Sequence, residues 1–143
     1  MEIKAFLKAH QSILIDTMVF IYEFEADPHF GPISHTVFKS LELGHTGYIS
    51  AISLHELLMK PKKLSNIPLF LHYKNLLTDS PYLTVTNITP QEAEVATGLR
   101  VKYNLAAPDA LILATAITHK INGFITADKK LAKIKEVDVL VIK

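Results

Sequence analysis

Hydrophobic positions along the chain fall into two kinds of segment that take turns. Ile13, Leu14 and Ile15 form a short apolar run without polar alternation, the pattern of a strand buried on both faces of a parallel sheet. Thr17 to Tyr22 can turn helical at once. Beyond Asp27-Pro28 and Gly31-Pro32, the apolar residues Ile33, Val37, Phe38 and Leu41 recur at helical spacing up to Gly44. Gly47 to Ala51 reads as a second strand. Ser53-Leu54-His55-Glu56 then opens a helix carried by Leu57, Leu58 and Met59 and expected to stop at Pro61.

The second half repeats the rhythm. Residues 65 to 78 read as a helix with Phe70, Tyr73, Leu76 and Leu77 as its apolar positions, and Tyr82 to Thr86 as a third strand. Thr89-Pro90-Gln91-Glu92 carries the marks of a helix start: a Thr cap, Pro at the first helical position, and Glu three residues after the cap. That helix should reach about Tyr103. Pro108 opens another, Asp109 to Thr118, apolar nearly all round and so deeply packed. Gly123 to Thr126 is a fourth strand, Asp128 starts a short helix, and Val137 to Ile142 is a fifth strand. Strands alternating with helices predict an α/β chain. The expected form is a three-layer α/β/α domain around a parallel sheet of about five strands with right-handed crossovers.

Composition narrows the class. At 143 residues, 49% hydrophobic and 20% charged, the chain is expected to be one compact domain over residues 1–143. No apolar run nears the roughly 18 residues of a membrane helix, and Met1 to Lys8 lacks the apolar middle of a signal peptide. There is no cysteine, so any metal ligands are oxygen or histidine. A cytoplasmic protein is the expectation. The charge balance, 15 basic against 14 acidic residues, changes meaning only if several acids share one pocket with a cation. The remaining surface would then be moderately positive and compatible with a polyanion.

Four acids are placed for that. Asp16 ends the first strand, Glu56 lies just inside the helix after the second, Asp109 sits in a helix first turn, and Asp128 follows the fourth strand. Each also has a purely structural use. Asp16 and Asp128 suit helix caps, Ser53 and Glu56 have capping-box spacing, and Asp109 complements a helix dipole. Caps fall anywhere in a fold, whereas strand-to-helix junctions of a doubly wound sheet share its carboxyl edge. Asp109, reached through a helix-to-helix connection, joins that edge by packing. At ~5 Å and an effective dielectric of ~20, each like-charged pair costs about 3 kcal/mol. A divalent cation offsets that cost, and oxygen-only ligands select Mg²⁺ or Mn²⁺. The chemistry expected is metal-assisted attack on a phosphate ester.

The order Ile-Asp-Thr, Ser-x-x-Glu-Leu-Leu, Pro-Asp-Ala-Leu-Ile-Leu-Ala-Thr-Ala and Ile-Thr-Ala-Asp-Lys-Lys-Leu resembles that of the PIN-domain nucleases, most closely the small VapC-type toxins. The resemblance runs from about Ile13 to Leu131. It implies that Asp16, Glu56, Asp109 and Asp128 are the family's acidic set. Thr126 matches its supporting hydroxyl, and Met18 stands where relatives often carry Asn. It further implies an Mg²⁺- or Mn²⁺-dependent endoribonuclease, either the toxin of a toxin–antitoxin pair or an RNA-processing enzyme. Asp16 and Asp109 would be the direct ligands, with Glu56 and Asp128 holding a second ion or coordinated waters. An RNA substrate, a possible antitoxin partner and a homodimer follow from the same resemblance.

Other features carry less. Lys60, Lys62, Lys63, Lys129 and Lys130 suit RNA phosphates or plain solvation at helix ends. Arg100 reads as surface, and the seven histidines lack ligand spacing, His55 being of interest only for its neighbour Glu56. Glu23, Glu25, Glu92 and Glu94 read as exposed helix charges, and Phe20, Tyr22 and Phe24 as core or a partner-helix groove rather than a base-stacking platform. The alternative function is a catalytically inactive PIN-like module that binds RNA or protein, against which the full acidic set counts. A phosphoacceptor receiver needs paired acids after the first strand, and a haloacid-dehalogenase phosphatase needs Asp-x-Asp. Asp16-Thr17-Met18 provides neither.

Overall fold

The computed structural model describes residues 2–143. Its elements follow in the order α1 (Ile3–Ala9), β1 (Ser12–Ile15), α2 (Thr17–Phe24), α3 (Gly31–Glu42), β2 (Thr46–Ser50), α4 (Ala51–Lys63), α5 (Ile67–Thr78), β3 (Leu83–Thr86), α6 (Pro90–Tyr103), α7 (Ala107–Thr118), β4 (Gly123–Thr126), a 3₁₀ turn (Lys129–Lys133) and β5 (Asp138–Val141). The five strands form one sheet in the order β3-β2-β1-β4-β5, every pair parallel. This is the three-layer α/β/α arrangement read from the alternation of elements.

β1 lies at the middle because its side chains have no use for water. Ile13 and Ile15 enter the core on one face, with Val19, Phe20, Val37, Ile49 and Leu57. Leu14 points to the opposite face, packing with Ile112, Leu113, Phe124 and Leu131, as the two-residue period of a strand requires. Close approach is enforced at Gly47, where a Cβ would stand 2.7 Å from Leu41 Cδ1. From β1 the chain winds outward through β2 to β3, then crosses back to β4. The strand order therefore reverses direction between β1 and β4, and open α/β sheets bind ligands outside the carboxyl ends at such a point.

Several boundaries differ from the sequence reading. α1 went unanticipated; its Phe6 and Leu7 are buried against the sheet. α4 begins at Ala51 with Ser50 as its cap, the Ser50 hydroxyl accepting from Ile52 N at 3.2 Å. Ser53 and Glu56 thus lie inside the helix and form no capping box. Pro61 also lies within α4, which continues to Lys63. Proline there forfeits one bond, to the Leu57 carbonyl, while its buried ring gains packing and its own carbonyl accepts from Asn66 N at 3.0 Å.

Glu92 is the main correction among the charges, being 2% exposed rather than on the surface. The predicted capping box forms: Thr89 donates its backbone N–H (2.9 Å) and its hydroxyl to Glu92 Oε2. The Thr118 hydroxyl reaches Oε1 from the end of α7 at 2.8 Å. Glu92 therefore fastens the start of α6 to the end of α7. Phe20 is core and packs on Phe38 at 5.1 Å, while the half-buried Tyr22 stacks on Phe30 at 4.7 Å at the core's margin.

Candidate functional site

Asp16 follows β1 directly, and its first atoms belong to the end of the sheet. Its backbone N–H donates to Ile125 O of β4 at 2.9 Å, and its side chain caps α2, Oδ1 accepting from Thr17 N at 2.8 Å. The Thr126 hydroxyl, at the end of β4, donates to Oδ2 at 2.6 Å. Burial leaves Asp16 8% exposed. Burial is also the chief reason its pKa rises from 3.8 to about 6. The two hydrogen bonds oppose the rise, and the charges of Asp109 and Glu56 add to it.

Asp109 reaches the same place from the opposite layer. Ala106 has extended backbone before α7, Pro108 occupies the first turn, and Asp109 follows half-buried. Its pKa is raised, first by burial, then by Asp128 and by Glu56, while Lys130 pulls it down. Asp128 caps the 3₁₀ turn, Oδ1 accepting from Lys130 N at 2.9 Å, which leaves its second oxygen uncommitted. Its own N–H donates to Thr126 Oγ1 at 3.0 Å. One threonine hydroxyl thereby links two of the four acids.

Glu56 projects from the second turn of α4 and stays exposed. Thr17 Oγ1 lies 2.8 Å from Glu56 Oε1 and 2.9 Å from the Oγ of the buried Ser53. Thr17 and Ser53 did not stand out in the sequence. Ser53 and Glu56 have the spacing of a capping box, but that spacing of three also puts them on one helix face, where a shared partner is the signal to look for. Ser50, at the end of β2, is reached by the Thr115 hydroxyl of α7 at 3.4 Å.

All five residues singled out in advance, Asp16, Glu56, Asp109, Asp128 and Thr126, thus meet at the carboxyl edge beside the β1/β4 reversal. Among the described residues no three His, Asp or Glu side chains form a ready-made ion cage. The donor set nevertheless suits a hard divalent cation that keeps part of its water shell, as Mg²⁺ does when held by one or two carboxylates. Every acid present is an oxygen donor, and two have pKa values raised in part by their acidic neighbours. The lysines divide. Lys60 is engaged by Glu25, Lys62 lies over the Phe70 ring at 5.6 Å, and Lys130 lies close enough to act on Asp109. Met18, beside Asp16 in sequence, is 40% exposed.

Known proteins share this fold. A toxin–antitoxin complex from Klebsiella pneumoniae contains a chain 28% identical to this one with a TM-score of 0.67, covering 91% of this chain and 97% of that one. FitAcB from Neisseria gonorrhoeae is 26% identical with a TM-score of 0.68, over 89% and 95% of the two chains. VapC20 from Mycobacterium tuberculosis, described as a sarcin–ricin loop cleaving toxin, shares the fold at 17% identity and a TM-score of 0.69, over 89% and 99%. Comparison with curated proteins yields no match. The family model of the PIN domain matches residues 13–137, from the first residues of β1 to the threshold of β5, and with that span the chain belongs to the PIN-domain family.

Proposed function

We propose that the chain is an Mg²⁺- or Mn²⁺-dependent endoribonuclease acting through Asp16, Glu56, Asp109 and Asp128. The observation that supports this best is the uncompensated charge of the cluster. Asp16 is nearly excluded from water, yet its acidic neighbours add to the burial that drives its pKa to about 6. A fold selected for stability alone has no use for that arrangement. A cation among the carboxylates removes the repulsion, with Asp16 and Asp109 as direct holders and Glu56 and Asp128 holding a second ion or coordinated waters.

When bound, such an ion lowers the pKa of a coordinated water and offsets charge on the scissile phosphate. The chain's own residues position the components. Thr126 fixes the Oδ2 side of Asp16 and the backbone of Asp128. Lys129 and Lys130, on the 3₁₀ turn beside Asp128, offer positive charge to an approaching RNA backbone. The toxin–antitoxin complexes among the similar structures support an antitoxin as partner of this chain; a homodimer as the working form is part of the same proposal and follows from the family resemblance alone.

The test compares wild type with Asp109→Asn in thermal unfolding with and without Mn²⁺, alongside cleavage of a structured RNA. Wild type should gain stability with Mn²⁺ by mass action and leave products with a 5′-phosphate and a 3′-hydroxyl. Asp109→Asn should unfold at a higher temperature without metal, gain little from Mn²⁺ and leave RNA intact. Indifference of both proteins to metal, with a mutation that only destabilises, would make Asp109 a helix-start residue and the chain a binding module.

A further inference from the structure

Thr17 touches two of the four acids from one position. Its backbone N–H donates to Asp16 Oδ1 at 2.8 Å, and its side-chain oxygen lies 2.8 Å from Glu56 Oε1. Thr17 is nearly buried and Ser53 wholly so, whereas Glu56 is exposed. The Thr17 hydroxyl has one proton. With a carboxylate and a hydroxyl both in reach, that proton goes to the carboxylate, the stronger acceptor. The Ser53 hydroxyl, 2.9 Å away, then donates to Thr17. The three groups form a one-way chain from Ser53 through Thr17 to Glu56.

Among the described residues Glu56 has no other side-chain hydrogen bond and no ion pair. A glutamate on an exposed helix surface otherwise samples many rotamers, and ordering it has an entropic cost. The Thr17–Ser53 pair meets that cost before any ligand arrives. Because Thr17 is the first residue of α2 and Ser53 belongs to α4, the contact also fixes how one helix presents its acid to the other.

We infer that Thr17 is a positioning residue, which with Ser53 sets the Glu56 carboxylate against Asp16 for divalent-cation binding. The inference rests on the metal-site reading above and assigns to two hydroxyls a role in it. Partners of this kind orient a ligand and typically change metal affinity about 10–100-fold when removed.

The experiment is Mn²⁺ titration followed by thermal unfolding, with no RNA present. Thr17→Val alone would leave the Ser53 hydroxyl buried and unpartnered, so the informative variant is Thr17→Val with Ser53→Ala, compared with Thr17→Ser. The double variant should bind Mn²⁺ about tenfold more weakly while its metal-free midpoint stays near that of wild type. Thr17→Ser, which keeps the hydroxyl, should bind within about twofold of wild type. Equal Mn²⁺ affinity in wild type and double variant overturns the positioning role alone. An equal loss in Thr17→Ser overturns it as well, since the missing methyl would then be responsible. A wild type that ignores Mn²⁺ overturns both this inference and the metal site.

Discussion

Asp16 and Glu92 are two carboxylates that the fold has taken out of water, to 8% and 2% exposure, and treated in opposite ways. Glu92 receives the Thr89 N–H, the Thr89 hydroxyl and the Thr118 hydroxyl, with His119 Nε2 3.3 Å away. The Thr89 hydroxyl does most to bring its pKa from 4.5 down to about 2. Asp16 receives only Thr17 N–H and the Thr126 hydroxyl and faces Asp109 and Glu56, and its pKa stands near 6. The structure thus supplies enough donors where a carboxylate holds helices together, and too few where it borders the crevice at the sheet edge. A buried acid left short of donors marks a site; a buried acid fully supplied marks a joint.

Removing the joint should weaken folding. Glu92→Ala strips the capping box of α6 and removes its hydrogen bond to the Thr118 hydroxyl of α7, and should destabilise the chain by about 2 kcal/mol at pH 7 in urea unfolding. Folding lowers the pKa of Glu92, so its contribution is full above about pH 4.5 and lost as pH falls towards 2. The gap between variant and wild type should close over that range. A gap that persists at low pH would show that packing, rather than charge, carries the effect.

Asp16→Asn should act in the other direction. Folding raises the pKa of Asp16, so the folded chain retains a proton between about pH 4 and 6 that the unfolded chain releases. Stability falls as pH rises through that window, and the penalty is complete above it. The variant should therefore be more stable than wild type at pH 8 by about 1–3 kcal/mol, indistinguishable from it near pH 4, and inactive on RNA. Destabilisation at pH 8 would mean that the Thr17 and Thr126 hydrogen bonds outweigh the desolvation.

Met18→Asn offers the smallest change and the finest resolution. The side chain is 40% exposed, so stability should move by no more than about 0.5 kcal/mol. A change in cleavage rate at unchanged stability would show that the site responds to a polar neighbour of Asp16. An unchanged rate would show that Thr17 and Thr126 already supply what the site needs.

What was legible in the sequence follows the range of the forces involved. The unbroken apolar run of Ile13, Leu14 and Ile15 announced a strand covered on both faces, and Thr89-Pro90-Gln91-Glu92 announced a capped helix start. Each pattern is complete within a few residues. Asp16, Asp109 and Asp128 were legible because strand ends and helix starts carry local signals. Glu92 misled for the same reason: its cap was visible, but burial depended on Thr118, which only the packing of α6 on α7 brings near. Ser53 misled in reverse, since its spacing to Glu56 imitated a cap while its partner was Thr17, 36 residues away. α1 escaped because seven residues, only two of them buried, carry little periodicity.

The pairing of β1 with β4 sets a condition on when the molecule can act. Asp16 and Thr126 are 110 residues apart in the chain, and Asp128 comes later still. A chain emerging from the ribosome exposes Asp16 and Glu56 first, but lacks the strand that orients the first acid and leads to the last until Thr126 and Asp128 have followed. Pairing over such a separation is also among the slower events of folding. Under the proposed function, a polypeptide still short of β4 is harmless to the RNA around it, and activity waits for Thr126 and Asp128 to join Asp16.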